Sequence, residues 1–198
     1  KQIIKIIDTQ KPVVQNCPTG PLEVCDITPN AGDLWNEMYW WDNTTQSHDL
    51  CEGPTDLSIT ATDLCSDENI TIRYQLFLDL DGDGAMETII NSTQTGLGGL
   101  GWNNVPFGNG GGGSGTPRQF DFRPVPANQK YGFALQTTTS GTDKTASVRW
   151  NTQQAQSTYV IPELPYGNHK IKWLIEDGCG NEQTCEYLFE VKDCKKPT

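Results

Sequence analysis

One acidic segment of this sequence has the residue types and the spacing of a cation site. Carboxylates at its first, third and fifth positions can converge on one point when the backbone turns, and Gly84 permits that turn. A carbonyl at the seventh position and a carboxylate at the ninth complete the candidate ligand set, which is Asp79, Asp81, Asp83, Ala85 and Glu87. Hard oxygen ligands at this spacing predict a structural Ca²⁺ site. The alternative is a solvated acidic hairpin turn, because Asp-Gly pairs are common in turns.

The residues around this segment distinguish it from an EF-hand. Its twelfth position is Ile90, where an EF-hand has a bidentate glutamate, and strand-like sequences lie on both sides. The segment is therefore more similar to the calcium loops of β-rich adhesins than to a helix–loop–helix sensor. Bound calcium would neutralise the clustered charge and stiffen the hairpin.

A second segment, residues 34–42, is unusually aromatic. Strand alternation would place Trp35, Tyr39 and Trp41 on one face and Trp40 on the other. A row of exposed rings can stack on sugars, which makes a carbohydrate-binding module the alternative function. The favoured interpretation is that these rings fill the sandwich core or a contact between modules.

The sequence offers little support for catalysis. Neither His48 nor His169 lies in a motif that would place it beside a nucleophile, and Gly-x-Ser-x-Gly is absent. The Gly-rich stretch at residues 96–117 lacks the GK[ST] ending of a phosphate loop. A glycosidase carboxylate pair could be drawn from any of the acidic residues, but no motif favours one. We therefore expect no enzymatic activity.

Composition limits the partners and the compartment. Fourteen basic residues against 25 acidic ones give a net charge of −11, which argues against binding to nucleic acid. No apolar run approaches the roughly 20 residues of a membrane helix, so no membrane insertion is expected. Seven cysteines without a CxxC pair favour disulfides over a zinc site. These features predict a secreted, extracellular or cell-surface protein.

Strand signals dominate the chain and predict an all-β fold. Alternating runs rich in β-branched and aromatic residues occupy positions 70–78, 146–150, 170–175 and 185–191, between clusters of Gly, Pro, Asn and Asp. The Gly-rich stretch predicts a long surface loop. Residues 118–160 have the pattern of an inserted pair or trio of strands.

The two ends of the chain share an Asp-x-x-Lys-Pro pattern, which starts at Asp8 and at Asp193 and in both cases follows an alternating strand. We interpret the pattern as a junction between modules, because proline ends a strand there. Residues 1–10 are then the last strand of a preceding module or a donor strand, residues 11–193 are one module, and residues 194–198 are the junction to the next. The predicted assembly strand consists of Gln2, Ile3, Ile4, Lys5, Ile6 and Ile7.

Residues 162–185 resemble the closing hairpin of hyalin-repeat (HYR) domains. The resemblance rests on Pro165-Tyr166-Gly167, a strand, Asp177-Gly178-Cys179-Gly180-Asn181 and Cys185, and on an opening Asn16-Cys17-Pro18. It implies an immunoglobulin-like β-sandwich with long loop and strand insertions in the middle of the chain. It also implies a stalk, adhesin or filament role within a large repetitive bacterial surface protein, of the kind exported by the type IX route. Neighbouring modules, identical subunits in a fibre, glycans and cell surfaces are the expected partners.

The same resemblance implies a disulfide between Cys17 and Cys185. Cys25 with Cys51, and Cys65 with Cys179, complete the preferred set, although Cys179 could compete for either partner of the first pair. Cys194 lies beyond the predicted module end and is left over.

Overall fold

A computed structural model describes residues 7–25, 52–64, 69–92, 133–149 and 161–192. Within these ranges the secondary structure consists of eleven β-strands. In chain order they are β1 (Val13–Val14), β2 (Leu22–Cys25), β3 (Glu52–Pro54), β4 (Ser58–Thr62), β5 (Thr71–Leu78), β6 (Thr88–Asn91), β7 (Ala134–Ser140), β8 (Asp143–Arg149), β9 (Glu163–Pro165), β10 (Gly167–Glu176) and β11 (Glu182–Lys192).

The strands form two sheets that pack face to face, with a small third pairing at one side. One sheet has the order β1-β4-β8-β7 and the other has the order β2-β11-β10-β5-β6, while β3 pairs with β9. Neighbouring strands are antiparallel except β2 and β11, which are parallel. The first part of the chain thus contributes one strand to each sheet. This arrangement is consistent with an immunoglobulin-like sandwich and confirms the predicted all-β class.

Alternation of side chains along the strands builds the core between the two sheets. In β5 and β10 every second residue is buried, and Tyr74 and Trp173 meet edge to face with ring centroids 5.9 Å apart. Ile59 of β4 and Val148 of β8 are fully buried on the opposing sheet. The Tyr74 hydroxyl donates a hydrogen bond of 2.8 Å to the carbonyl oxygen of Phe133, just before β7. One hydrophobic layer therefore joins both sheets.

The turn between β10 and β11 shows why the Asp-x-x-Gly-Asn pattern closes a hairpin. Asp177 Oδ1 accepts hydrogen bonds from the backbone N–H groups of Cys179 and Asn181, both at 2.8 Å. Gly180 has a φ of 90°, a conformation that is strained for residues with a Cβ atom. The predicted tight turn is confirmed, and its aspartate holds it together.

Within residues 118–160, the part that the structure describes contains a pair of strands, β7 and β8. The hairpin of β7 and β8 belongs to the sandwich, and β8 lies at the centre of its sheet between β4 and β7. Ala146 and Val148 of β8 are completely buried. The sequence concealed this role because β7 has mostly hydroxyl and amide side chains and the Gly-rich stretch separates the hairpin from β6.

Candidate metal centre

The acidic segment forms the connection between β5 and β6, two antiparallel neighbours in the five-stranded sheet. Asp79 directly follows β5 and is buried, whereas Asp81, Asp83 and Glu87 are exposed. Gly82 and Gly84 have φ angles of 76° and 90°. Left-handed backbone at these two positions is what lets the chain curl around the first carboxylate.

Asp79 organises this loop through its carboxylate. Its two oxygens accept hydrogen bonds from the backbone N–H groups of Gly82 at 2.7 Å and Gly84 at 2.9 Å. Burial alone would raise the pKa of this carboxyl group, but the hydrogen bonds from the backbone of Gly84 and Gly82 outweigh it, with a smaller contribution from the backbone of Asp83. The pKa of Asp79 therefore lies below its usual value and the group is held as a carboxylate.

The other acidic side chains repeat this arrangement along the loop. Asp81 accepts a hydrogen bond from the backbone of Asp83 at 3.2 Å, and Asp83 accepts one from the backbone of Ala85 at 2.7 Å. Glu87 returns to the start of the loop and accepts a contact of 3.4 Å from the Leu80 N–H group. Each aspartate thus fixes the backbone that carries the next part of the site.

The four carboxylates converge. One oxygen each from Asp79, Asp81, Asp83 and Glu87 can be chosen so that all lie within 4.8 Å of one another. Oxygen atoms that bind one cation at about 2.0–2.6 Å are at most about 5 Å apart, so the spacing fits a shared ion. The cluster could hold a metal ion. Ala85 takes part through its backbone N–H group, which donates to Asp83. Its carbonyl oxygen stays a predicted ligand.

His169 of β10 supports this loop from inside the core. Its side chain is completely buried; Nδ1 accepts a hydrogen bond from the Asp79 N–H group at 3.3 Å, and Nε2 lies 2.7 Å from the carbonyl oxygen of Pro165. Burial is the main cause that lowers the pKa of His169, against the opposing influence of Pro165 and Asp79. The ring is accordingly neutral, with its proton on Nε2 donated to Pro165.

Sequence reasoning missed the role of His169, although a signal was present. His169 is one of the alternate residues of β10 that face the core. The others are Ile171, Trp173 and Ile175. A histidine in an otherwise apolar inward row must have its ring nitrogens satisfied. The missing information was the partner, since Asp79 is 90 residues away in the chain.

A disulfide joins Cys17 to Cys185, as the hyalin-repeat resemblance implied, with a Cα–Cα distance of 5.8 Å and a sequence separation of 168. Cys17 lies between β1 and β2, and Cys185 is a buried residue of β11. The bond therefore ties the opening of the described chain to its last strand. Such a bond is compatible with an extracellular location.

The remaining cysteines give a different outcome. Cys179 is an exposed free thiol in the β10–β11 turn, in contrast to the predicted Cys65–Cys179 pair. Its predicted partner Cys65 lies outside the described residues, as do Cys51 and Cys194. The backbone of Cys25 ends β2, and the Cys25–Cys51 pair stays a prediction.

Two further predicted sites fall outside the part of the chain that the structure describes. The aromatic segment with Trp35, Tyr39, Trp40 and Trp41 is one of them. Of the assembly strand, only Ile7 is described, and 63% of its side chain is exposed. Both sites stay predictions.

Comparison with known proteins finds no matching family model, curated protein or solved structure. Among the described ranges, no helix has the length and apolar character needed to cross a bilayer.

Proposed function

We propose that this chain is a structural or adhesive module of an extracellular, repetitive surface or filament-forming protein, and that it works as a load-bearing unit without catalysis. The observation that carries the proposal is the disulfide between Cys17 and Cys185. It connects the segment that enters the sandwich to the strand that leaves it. The hyalin-repeat resemblance of both ends supports the same role.

The position of the bond determines how the module would carry force. When the chain is pulled at its two ends, the shortest covalent path runs from Cys17 through the disulfide to Cys185. The segment between the two cysteines, whose sequence separation is 168, then carries no tension. The core strands β4, β5, β8 and β10 lie inside that segment. A module built this way transmits tension while these four strands stay folded.

The acidic loop fits the same role if it binds Ca²⁺. Four carboxylates from one nine-residue segment supply the hard oxygens that calcium prefers. The loop joins β5 to the edge strand β6, which pairs with β5 over four residues only. Calcium would neutralise the repulsion within the loop and hold this short edge strand in place.

Single-molecule stretching tests the load-bearing proposal directly. The oxidised chain should not release the segment between the two cysteines. The Cys17→Ser/Cys185→Ala variant should release about 590 Å more contour length, or about 500 Å if the predicted Cys25–Cys51 bond is formed, because each residue extends by roughly 3.5 Å. Cys179→Ser is the matched control, since it removes a thiol that forms no disulfide. If the oxidised chain releases the same length as the variant, the proposal is wrong.

Calcium binding to the acidic loop has its own test. We expect Asp81→Asn to weaken calcium binding at this loop by about tenfold or more, because it removes one charged ligand and leaves the buried Asp79 framework intact. Titration calorimetry on the chelator-treated protein measures the change. Glu182→Gln, which removes an exposed carboxylate at the opposite end of the five-stranded sheet, is the control for loss of one negative charge. Equal calcium affinities in Asp81→Asn and the unmodified protein would remove the loop as a calcium site.

A further inference from the structure

A second group of carboxylates lies at the opposite end of the β10 strand from His169. It consists of Asp8 in the segment before β1, Asp63 directly after β4 and Asp177 directly after β10. One oxygen from each side chain lies within 4.8 Å of the other two. Asp63 and Asp177 are each only 4% exposed. Three separate parts of the chain thus bring negative charge to one largely buried point.

One oxygen in this group is buried without a hydrogen-bond donor. Asp8 Oδ1 accepts a hydrogen bond of 2.9 Å from the Gln10 N–H group, whereas Asp8 Oδ2 has no partner and no appreciable solvent access. A buried carboxylate oxygen without a donor is unfavourable, and neighbouring carboxylates make it more so. A bound cation at this point would supply the interaction that this oxygen lacks.

Asn181 holds the group together without neutralising it. Its side-chain Nδ2 lies 2.6 Å from Asp177 Oδ2 and 3.3 Å from the carbonyl oxygen of Asp8. Burial alone would raise the pKa of Asp177, but hydrogen bonds from Asn181, Cys179 and Gly180 outweigh it and keep the pKa below its usual value. Asp177 Oδ2 accepts one hydrogen bond from the Asn181 side chain and has a lone pair left for a further ligand.

We propose that Asp8, Asp63 and Asp177 bind a divalent cation, with Ca²⁺ the best fit. Three carboxylates exceed the one or two that Mg²⁺ usually takes from protein, whereas Ca²⁺ accepts six to eight oxygens in flexible geometry. The oxygen spacing is within reach of one such ion. The cation would supply the positive charge that the buried Asp8 Oδ2 otherwise lacks. This site is independent of the β5–β6 loop and does not depend on the proposed load-bearing role.

The cation would fasten the start of the chain to its closing hairpin. Asp8 immediately follows the predicted assembly strand, and Asp177 and Asn181 form the β10–β11 turn. Occupancy of the site would therefore fix the position of Asp8 relative to the β10–β11 turn.

Calcium titration of the full chain in the Asp81→Asn background, in which the acidic loop binds calcium more weakly, helps to distinguish this site from the acidic loop. We expect one calcium to bind to Asp81→Asn, and the added Asp8→Asn substitution to weaken that binding by about tenfold or more. Glu182→Gln in the same background is the matched control, because it removes an exposed carboxylate beside the same turn and outside the group. Hydrogen exchange of Asp81→Asn with and without calcium gives a second measurement, in which calcium should slow exchange at residues 7–12 and 177–181.

The outcomes separate the explanations. Calcium affinity lowered by Asp8→Asn and unchanged by Glu182→Gln supports the site. Absence of binding in Asp81→Asn, or binding unaffected by Asp8→Asn, overturns it. Absence of binding together with a more stable Asp8→Asn protein shows that no cation compensates for the buried oxygen. If Asp8→Asn does not fold, calcium-dependent protection of residues 7–12 in Asp81→Asn decides for the site, and its absence decides against it.

Discussion

Loss of the Cys17–Cys185 disulfide is expected to lower the free energy of unfolding by about 3–5 kcal/mol. The bond closes a loop with a sequence separation of 168, and a long loop gains the most conformational freedom when it is opened in the unfolded chain. Cys185 is 2% exposed within β11, so alanine is the better replacement there because it avoids a buried hydroxyl group.

Denaturant unfolding followed by tryptophan fluorescence measures this change. The Cys17→Ser/Cys185→Ala variant and the reduced unmodified protein should unfold at similar, lower denaturant concentrations. Cys179→Ser should behave like the oxidised protein. If the variant is as stable as the oxidised protein, the bond does not contribute to the free energy of unfolding.

Replacement of His169 by alanine is expected to destabilise the sandwich by about 3–5 kcal/mol, because it leaves a cavity and removes the partners of two buried backbone groups. The ring also packs against Phe189 with centroids 5.5 Å apart. The second expected effect is weaker calcium binding at the acidic loop. Asp79 is held at its N–H group by His169, and a looser Asp79 positions its carboxylate less well for the shared ion.

Thermal unfolding and calcium titration of the same samples separate the two effects. His169→Gln is the informative control, because its amide can still donate to the carbonyl oxygen of Pro165 while the contact to Asp79 is lost. It should recover part of the stability and little of the calcium affinity. A destabilised His169→Ala protein with unchanged calcium affinity would show that the histidine supports the core alone.

The strands could be predicted because their signals are local. The alternation in β5, β10 and β11 reflects a sheet with one face buried, and the residues between Asp177 and Asn181 specify the turn through backbone geometry. The acidic loop is equally local, since its ligands all come from one nine-residue segment. The Cys17–Cys185 bond came from the hyalin-repeat resemblance.

The features that could not be predicted depend on contacts between distant parts of the chain. To place β8 at the centre of a sheet, one must know that it pairs with β4. In the sequence, β5, β6 and the Gly-rich stretch separate these two strands. Two other features could not be predicted for the same reason. They are the contact of His169 with Asp79 and the proximity of Asp8, Asp63 and Asp177. None of these residues signals its partner, because each has an ordinary local sequence.

The parallel pairing of β2 with β11 has a mechanical consequence for the chain without its disulfide. Tension then enters β2 before Leu22 and leaves β11 after Lys192, and the four paired positions run in the same direction. The two strands are pulled past each other in shear, so that their hydrogen bonds resist together and do not unzip one at a time. The sandwich thus contains a second, noncovalent clamp that acts only after the covalent one has opened.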